Sequence, residues 1–241
     1  MPFSGSALKW FAVLIMLVDH IGACLLEVFV LNYYGVSPLA GRIDNLYFWL
    51  ILDSVLRGIG RAAFPIFCFL LVEGAVHTRS PRKYLLRLAS FALISEIPFD
   101  LALHNQPFYW ETQNVFFTLL AGLLVIQAFQ RSPGQEWRGM LALAVLGAAA
   151  ELCGTDYGAI GVAVIAVMYL LRERFWAASV LSLILLVLLA RIEIFSIPAF
   201  LILALYNGKR GRQPKYFFYV FYPVHLLILW AAGNFVLPAL L

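Results

Sequence analysis

The chain has 241 residues, of which 63% are hydrophobic and 12% charged, and a net charge of +4. Soluble domains carry about a quarter charged residues, so a single water-soluble core cannot hide this much apolar surface and lipid must solvate part of it. The basic balance does not mark a nucleic-acid groove, because the cations sit in short loops between apolar runs, where they determine topology.

A spanning helix needs about 20 mostly apolar residues. The first such run, 8–31, contains Asp19, His20 and Glu27 and lacks a clean cleavage site, so it reads as a retained span rather than a signal peptide. Residues 46–76 are too long for one span. A break at Arg57-Gly58-Ile59-Gly60-Arg61 suggests an interfacial helix over 45–56 and a span over 60–76. Spans follow at 84–103 and 114–130, then four shorter apolar runs at 139–152, 157–171, 175–190 and 195–206, and a last span at 216–237. Cys24, Cys68 and Cys153 have no metal-ligand spacing and read as small apolar packing residues. The sequence shows no repeat and no linker. The expectation is an all-α polytopic membrane protein of about nine transmembrane helices (eight to ten), one domain over 1–241.

Basic residues fill every second connection: Arg79, Arg82, Lys83 and Arg87; Arg131 and Arg138; Arg172 and Arg174; Lys209, Arg210, Arg212 and Lys215. The intervening connections hold only Arg42 and Arg191, with Asp44, Glu111, Asp156 and Glu193. The positive-inside rule then places the N-terminus in the cytoplasm and the C-terminus outside.

An ionisable side chain at bilayer depth costs about 2.5–3.5 kcal/mol even on the mildest scale, so each one asks for a reason. Asp19 and His20 lie ~18 Å into the first span and His225 ~14 Å into the last, at a rise of 1.5 Å per residue. Arg57 and Arg61 share a helix face, as do Glu96 and Asp100. Because the second and third spans are joined by a short loop, Arg61 is expected to pair with Glu96 and Asp100, with Glu27, Asn114, Glu151, Asp156 and Tyr157 at the same outer level. The bland reading is that such pairs are structural glue and the histidines are satisfied packing residues. Adjacent Asp and His at mid-depth fit it less well, because both need partners and the imidazole titrates near neutrality.

Several motifs, in order, resemble the TraX family of conjugal-transfer pilin acetyltransferases. They are Leu-Val-Asp-His-Ile-Gly at 17–22, Gly-Arg-Ala-Ala-Phe-Pro-Ile-Phe at 60–67 and Phe-Leu-Leu-Val-Glu-Gly at 69–74. Next come Lys-Tyr-Leu-Leu-Arg-Leu at 83–88, Ser-Glu-Ile-Pro-Phe-Asp at 95–100 and Gln-Asn-Val-Phe-Phe-Thr-Leu at 113–119. Gly-Thr-Asp-Tyr-Gly at 154–158, Tyr-Asn-Gly-Lys-Arg-Gly at 206–211, Lys-Tyr-Phe-Phe-Tyr at 215–219 and Phe-Tyr-Pro-Val-His-Leu at 221–226 complete the set. More distantly, His20, the segment of Arg61, Phe64 and Pro65, and the last-span Tyr/His pair resemble membrane acyltransferases that modify sugars on the far side of a bilayer. The resemblance implies an acetyltransferase of the bacterial inner membrane. It would move an acetyl group from cytoplasmic acetyl-CoA to an outer acceptor, the N-terminal amine of a pilin, with no metal and no nucleic acid.

In that scheme His20 is the general base, supported by Asp19, Tyr222 and His225; the Asp19 side chain points about 100° away from His20 and is expected to pair elsewhere, with an arginine or with a last-span residue. Arg82, Lys83, Asn207, Lys209, Arg210, Arg212 and Lys215 take the coenzyme A phosphates. Arg61, Glu96, Asp100, Asn114, Asp156 and Tyr157 form the acceptor side, where the acids attract an ammonium. The rival class is a proton-coupled transporter or flippase, because buried acids and histidines also make proton relays.

Overall fold

In the computed structural model, residues 1–33, 35, 37, 44–212 and 216–240 are described, and among them the chain is all helical, with two isolated bridges and no strand. Helix α1, Gly5–His20, begins on Ser4, whose hydroxyl accepts the Ala7 N–H. It continues without a break as a π-helix, Ile21–Val30. Then follow α2 (Leu46–Gly60), α3 (Ala63–His77), α4 (Pro81–His104) and α5 (Val115–Arg131). Next are α6 (Glu136–Leu152), α7 (Gly158–Leu170), α8 (Phe175–Leu189), a 3-10 turn over Arg191–Ser196 and α9 (Ile197–Leu203). Helix α10 (Phe217–Ala231) passes through a short π-helix, Ala232–Val236, into α11 (Leu237–Leu240).

Among the described residues, three helical stretches are long and apolar enough to cross a bilayer: Gly5–Val30, Leu46–His77 and Phe217–Leu240. Val115–Arg131, Gly158–Leu170 and Phe175–Leu189 are shorter apolar helices. The outward faces carry Leu93, Val145, Leu188 and Ile228, each more than half exposed, a surface suited to lipid rather than water.

Two staples define the ends of the bundle. At one, the Phe3 N–H donates to the Leu205 carbonyl (3.2 Å) and the Gly5 N–H to the Lys209 carbonyl (2.8 Å), tying the N-terminus to the loop after α9. At the other, the Gln113 N–H donates to the Gly154 carbonyl and the Asp156 N–H to the Gln113 carbonyl (both 2.9 Å), tying the α4–α5 loop to the α6–α7 loop. The basic loops gather at the first end, called here the basic end.

Three sequence expectations change. Residues 45–56 are not a helix set apart at an interface: α2 packs lengthwise along α1 and its π-helix, and only a turn at 61–62 separates it from α3. Ion pairs to α1, described below, hold it there. The run 195–206 yields only the seven-residue α9, because the 3-10 turn consumes its start and Pro198 restarts the helix. The short α3–α4 loop does not make those helices close partners: α4 packs on α10 and α5. Cys24 and Cys68 are buried, while Cys153 is exposed.

Candidate active site

Residues 19 and 20 end α1 and point about 100° apart, as any adjacent pair on a helix must. That angle sends the two side chains into different neighbourhoods.

His20 turns toward α10. Its Nδ1 lies 2.6 Å from Nε2 of His225, and the rings stack with centroids 4.9 Å apart. His225 is buried, and its Nδ1 lies 2.7 Å from the Phe221 carbonyl oxygen. A carbonyl only accepts, so His225 Nδ1 carries the hydrogen and its Nε2 carries the lone pair. With both rings neutral, His20 Nδ1–H then donates to His225, and His20 Nε2 keeps a lone pair for chemistry. The Tyr222 ring packs edge-on against both imidazoles, at 5.8 Å from His20 and 5.7 Å from His225.

Asp19 turns toward α2. One of its carboxylate oxygens meets Arg57 Nη1 and the other Arg61 Nη2, each at 2.6 Å. Arg57 Nε reaches Glu27 at 3.0 Å, and Arg61 Nη1 reaches the buried Glu193 at 3.1 Å. This close approach needs Gly60, where a Cβ would fall 2.0 Å from Asp19 Oδ1. Beside Arg61 stands Tyr157, held at φ +66° with its ring stacked flat on Phe64, centroids 3.6 Å apart. A tyrosine in the left-handed region is strained, and such strain concentrates at functional sites. The π-helix also begins at the residue after His20, and long π-helices are rare outside such places.

A cavity of about 810 Å³ opens at the basic end and runs inward to Tyr222. Its mouth carries Lys9, Arg79, Arg87 and Arg210. Deeper, apolar residues such as Leu71, Leu119 and Phe116 line it, and its inner end meets Met16 and Tyr222 beside the imidazole pair. Part-way along, the Tyr206 hydroxyl donates to Glu73 (3.1 Å); burial first, then the Glu73 charge, pushes that phenol up to about 12, so it stays a neutral donor.

The residues singled out from sequence are therefore distributed over several places. His20, His225 and Tyr222 converge, and Asp19 joins Arg61 and Tyr157 in the ion cluster. Of the proposed phosphate-binding residues only Arg210 lines the cavity. Arg82 and Lys83 are exposed at the start of α4, and Lys209 and Arg212 are exposed on the stapled loop, where their backbone carbonyls accept from Gly5 N–H and Ser6 Oγ. Asn207 caps the Lys209 N–H (2.9 Å), and Lys215 lies outside the described residues. Lys9, Arg79 and Arg87 take the places at the mouth; by sequence they read as topology residues, Lys9 at the N-terminus and the two arginines in a basic loop.

The expected pairing of Arg61 with Glu96 and Asp100 is not found. Glu96 hydrogen-bonds Asn114, which also donates to the Ala92 carbonyl (2.8 Å) and caps α5 by accepting the Phe116 N–H. Asp100 accepts the Tyr109 N–H (2.9 Å), so both acids secure the α4–α5 connection. The Asp156 side chain is exposed, and its backbone carbonyl accepts from the Thr118 hydroxyl. The physical reason is rotational: a short loop fixes that two helices are consecutive, not which faces meet. Glu193, the partner Arg61 does take, comes from the 3-10 turn and gave no periodic signal in sequence.

A family described as "TraX protein" matches residues 4–232. A curated relative, "Probable fimbrial assembly protein FimC, serogroup H1" of Dichelobacter nodosus, is 30% identical over 256 aligned residues, covering 97% of this chain and 97% of the relative. No solved structure matches.

Proposed function

The chain belongs to the TraX family, and we propose that it is a membrane acetyltransferase that takes an acetyl group from acetyl-CoA at the basic, cytoplasmic end and delivers it to an amine on the other side of the bacterial inner membrane. The family and the fimbrial-assembly relative fit a role in pilus or pilin processing, so the acceptor in this reading is the N-terminal amine of a pilin. About nine crossings with a cytoplasmic N-terminus complete the topology, supported by the alternation of basic and acidic connections.

One observation carries the reading: a cavity rimmed by cations and walled by apolar side chains leads inward to Tyr222, whose ring packs edge-on against an imidazole whose tautomer is set by a second imidazole. Its volume falls in the ~300–1,000 Å³ range of small-molecule cofactor sites. Lys9, Arg79, Arg87 and Arg210 at the mouth suit phosphates, and the apolar run beyond suits the thin pantetheine arm. Tyr222, at the inner end, polarises the thioester carbonyl with its hydroxyl.

The amine arrives at His20 as a free base, having lost its ammonium proton to the outer water. Its nitrogen pair forms the C–N bond to the thioester carbon while His20 Nε2 takes the N–H proton. The C–S bond breaks, and the leaving thiolate takes that proton from the imidazolium. His225 holds His20 in the tautomer this needs and shares the charge that develops. Purified protein incubated with labelled acetyl-CoA and a peptide bearing a free N-terminal amine should release free coenzyme A and label the peptide. His20→Ala should do neither while remaining folded. Binding of substrate with no acetyl transfer would instead favour the transporter reading.

A further inference from the structure

The ion cluster on the Asp19 side of α1 does not balance. Asp19, Glu27 and Glu193 are ion-paired to only two guanidinium groups, and a fourth carboxyl, Asp53, sits one turn before Arg57 on α2. Asp53 is 8% exposed and Glu193 1%, yet Asp53 Oδ1 and Glu193 Oε2 each lack a hydrogen-bond partner. Buried polar atoms are nearly always partnered, so each of these asks for a donor. Asp53 Oδ1 stands over Gly22, 3.3 Å from where a Cβ would be, with the Arg57 side chain alongside. Gly22 follows Asp19 by three residues and His20 by two, so the orphaned oxygen lies on the Asp19 face of the helix, about half a turn round from the imidazole. The cluster is not sealed: the side chains of Glu27 and Arg57 keep 20% and 22% of their exposure.

We propose that Asp53 and Glu27, at the Gly22 notch, form the subsite for a primary ammonium, the acceptor's amine in its charged form. The proposal deepens the amine-acceptor reading above and rests on it. Asp19 and Glu193 neutralise the arginines; Asp53 and Glu27 are the surplus carboxylates, and an –NH3+ group supplies one of the two missing charges and the N–H donors that Asp53 lacks. A guest held there sits on the Asp19 face of the helix, away from the coenzyme cavity, so the subsite captures the acceptor before it reaches the imidazole. On leaving it the ammonium gives one proton to the outer water, and the neutral amine goes on to His20 as the nucleophile.

Binding is tested on His20→Ala protein in detergent, which turns nothing over, so the result does not depend on acetyl transfer. The probes are alaninamide, a primary ammonium, and N-acetylalaninamide, its neutral counterpart, each titrated at constant ionic strength by calorimetry. Alaninamide should bind at least tenfold more tightly than the neutral probe, and Asp53→Asn should remove that preference. Asp53→Glu, which keeps the charge, should retain most of it and controls for misfolding. Equal binding of the two probes, or an unchanged preference in a folded Asp53→Asn protein, overturns the proposal, as does equal displacement of alaninamide by sodium ions at matched concentration. If alaninamide binds as expected while wild-type protein transfers no acetyl group, the acetyltransferase reading fails and the ammonium subsite stands.

Discussion

The two chambers flanking the end of α1 use charge in opposite ways. Toward the basic end, cations stand at the rim of an 810 Å³ cavity whose interior is apolar. On the Asp19 side, cations are largely buried and held within 2.6–3.1 Å of carboxylates. Charges at a rim recognise a soluble anion at smaller cost to the fold than charges enclosed within it. Buried charges are tolerated only in mutual contact, so the ion cluster is at once structure and chemistry.

This contrast predicts unequal fragility. Arg61→Leu should be the most damaging change, because it strands Glu193 in the interior and takes one of two cations from Asp19; breaking a buried pair costs about 3–5 kcal/mol, read as a large fall in thermal stability or in recovered folded protein. Gly60→Ala should be nearly as severe, since its Cβ meets Asp19 and forces both arginines off their partner; a melting temperature equal to wild type would show the cluster to be looser than described. His20→Ala comes next in effect on the fold but first in effect on chemistry. Loss of a general base costs about 10²–10⁴-fold in rate, with stability close to wild type. Arg87→Glu combined with Arg210→Glu should raise the KM for acetyl-CoA by about tenfold with little change in kcat, and more so at low salt. Arg82→Glu combined with Lys83→Glu, near the mouth in sequence but outside the cavity, should stay within about twofold of wild type. Equal effects from both pairs would mean that general attraction, not the cavity rim, governs the donor.

The sequence makes some of this legible and not the rest. The helices over 84–103, 114–130 and 216–237 were readable from apolar run length, and the order of short motifs placed the family. The Asp19–His20 step was readable as a place that needs partners, because two polar groups at mid-depth demand them. The 100° between them also said that they would have different ones; of the two partners left open for Asp19, an arginine or a last-span residue, it takes arginines. What escaped was rotation and irregularity. No periodicity announces the π-helix after His20, and none assigns Glu193, in a 3-10 turn, to Arg61. Glu96 and Asp100 looked like partners for Arg61 on depth alone, yet depth leaves the helix face undetermined, and the local needs of the α4–α5 connection claimed both acids.

The central claim is that His20 joins an inner donor chamber to an outer acceptor. Vesicles reconstituted in one orientation, with labelled acetyl-CoA supplied only at the basic end and an amine-terminated peptide enclosed on the other side, test it directly. The account predicts label on the enclosed peptide, lost in His20→Ala with the membrane intact. Label confined to amines on the donor side, or undiminished transfer by the His20→Ala protein, would contradict it.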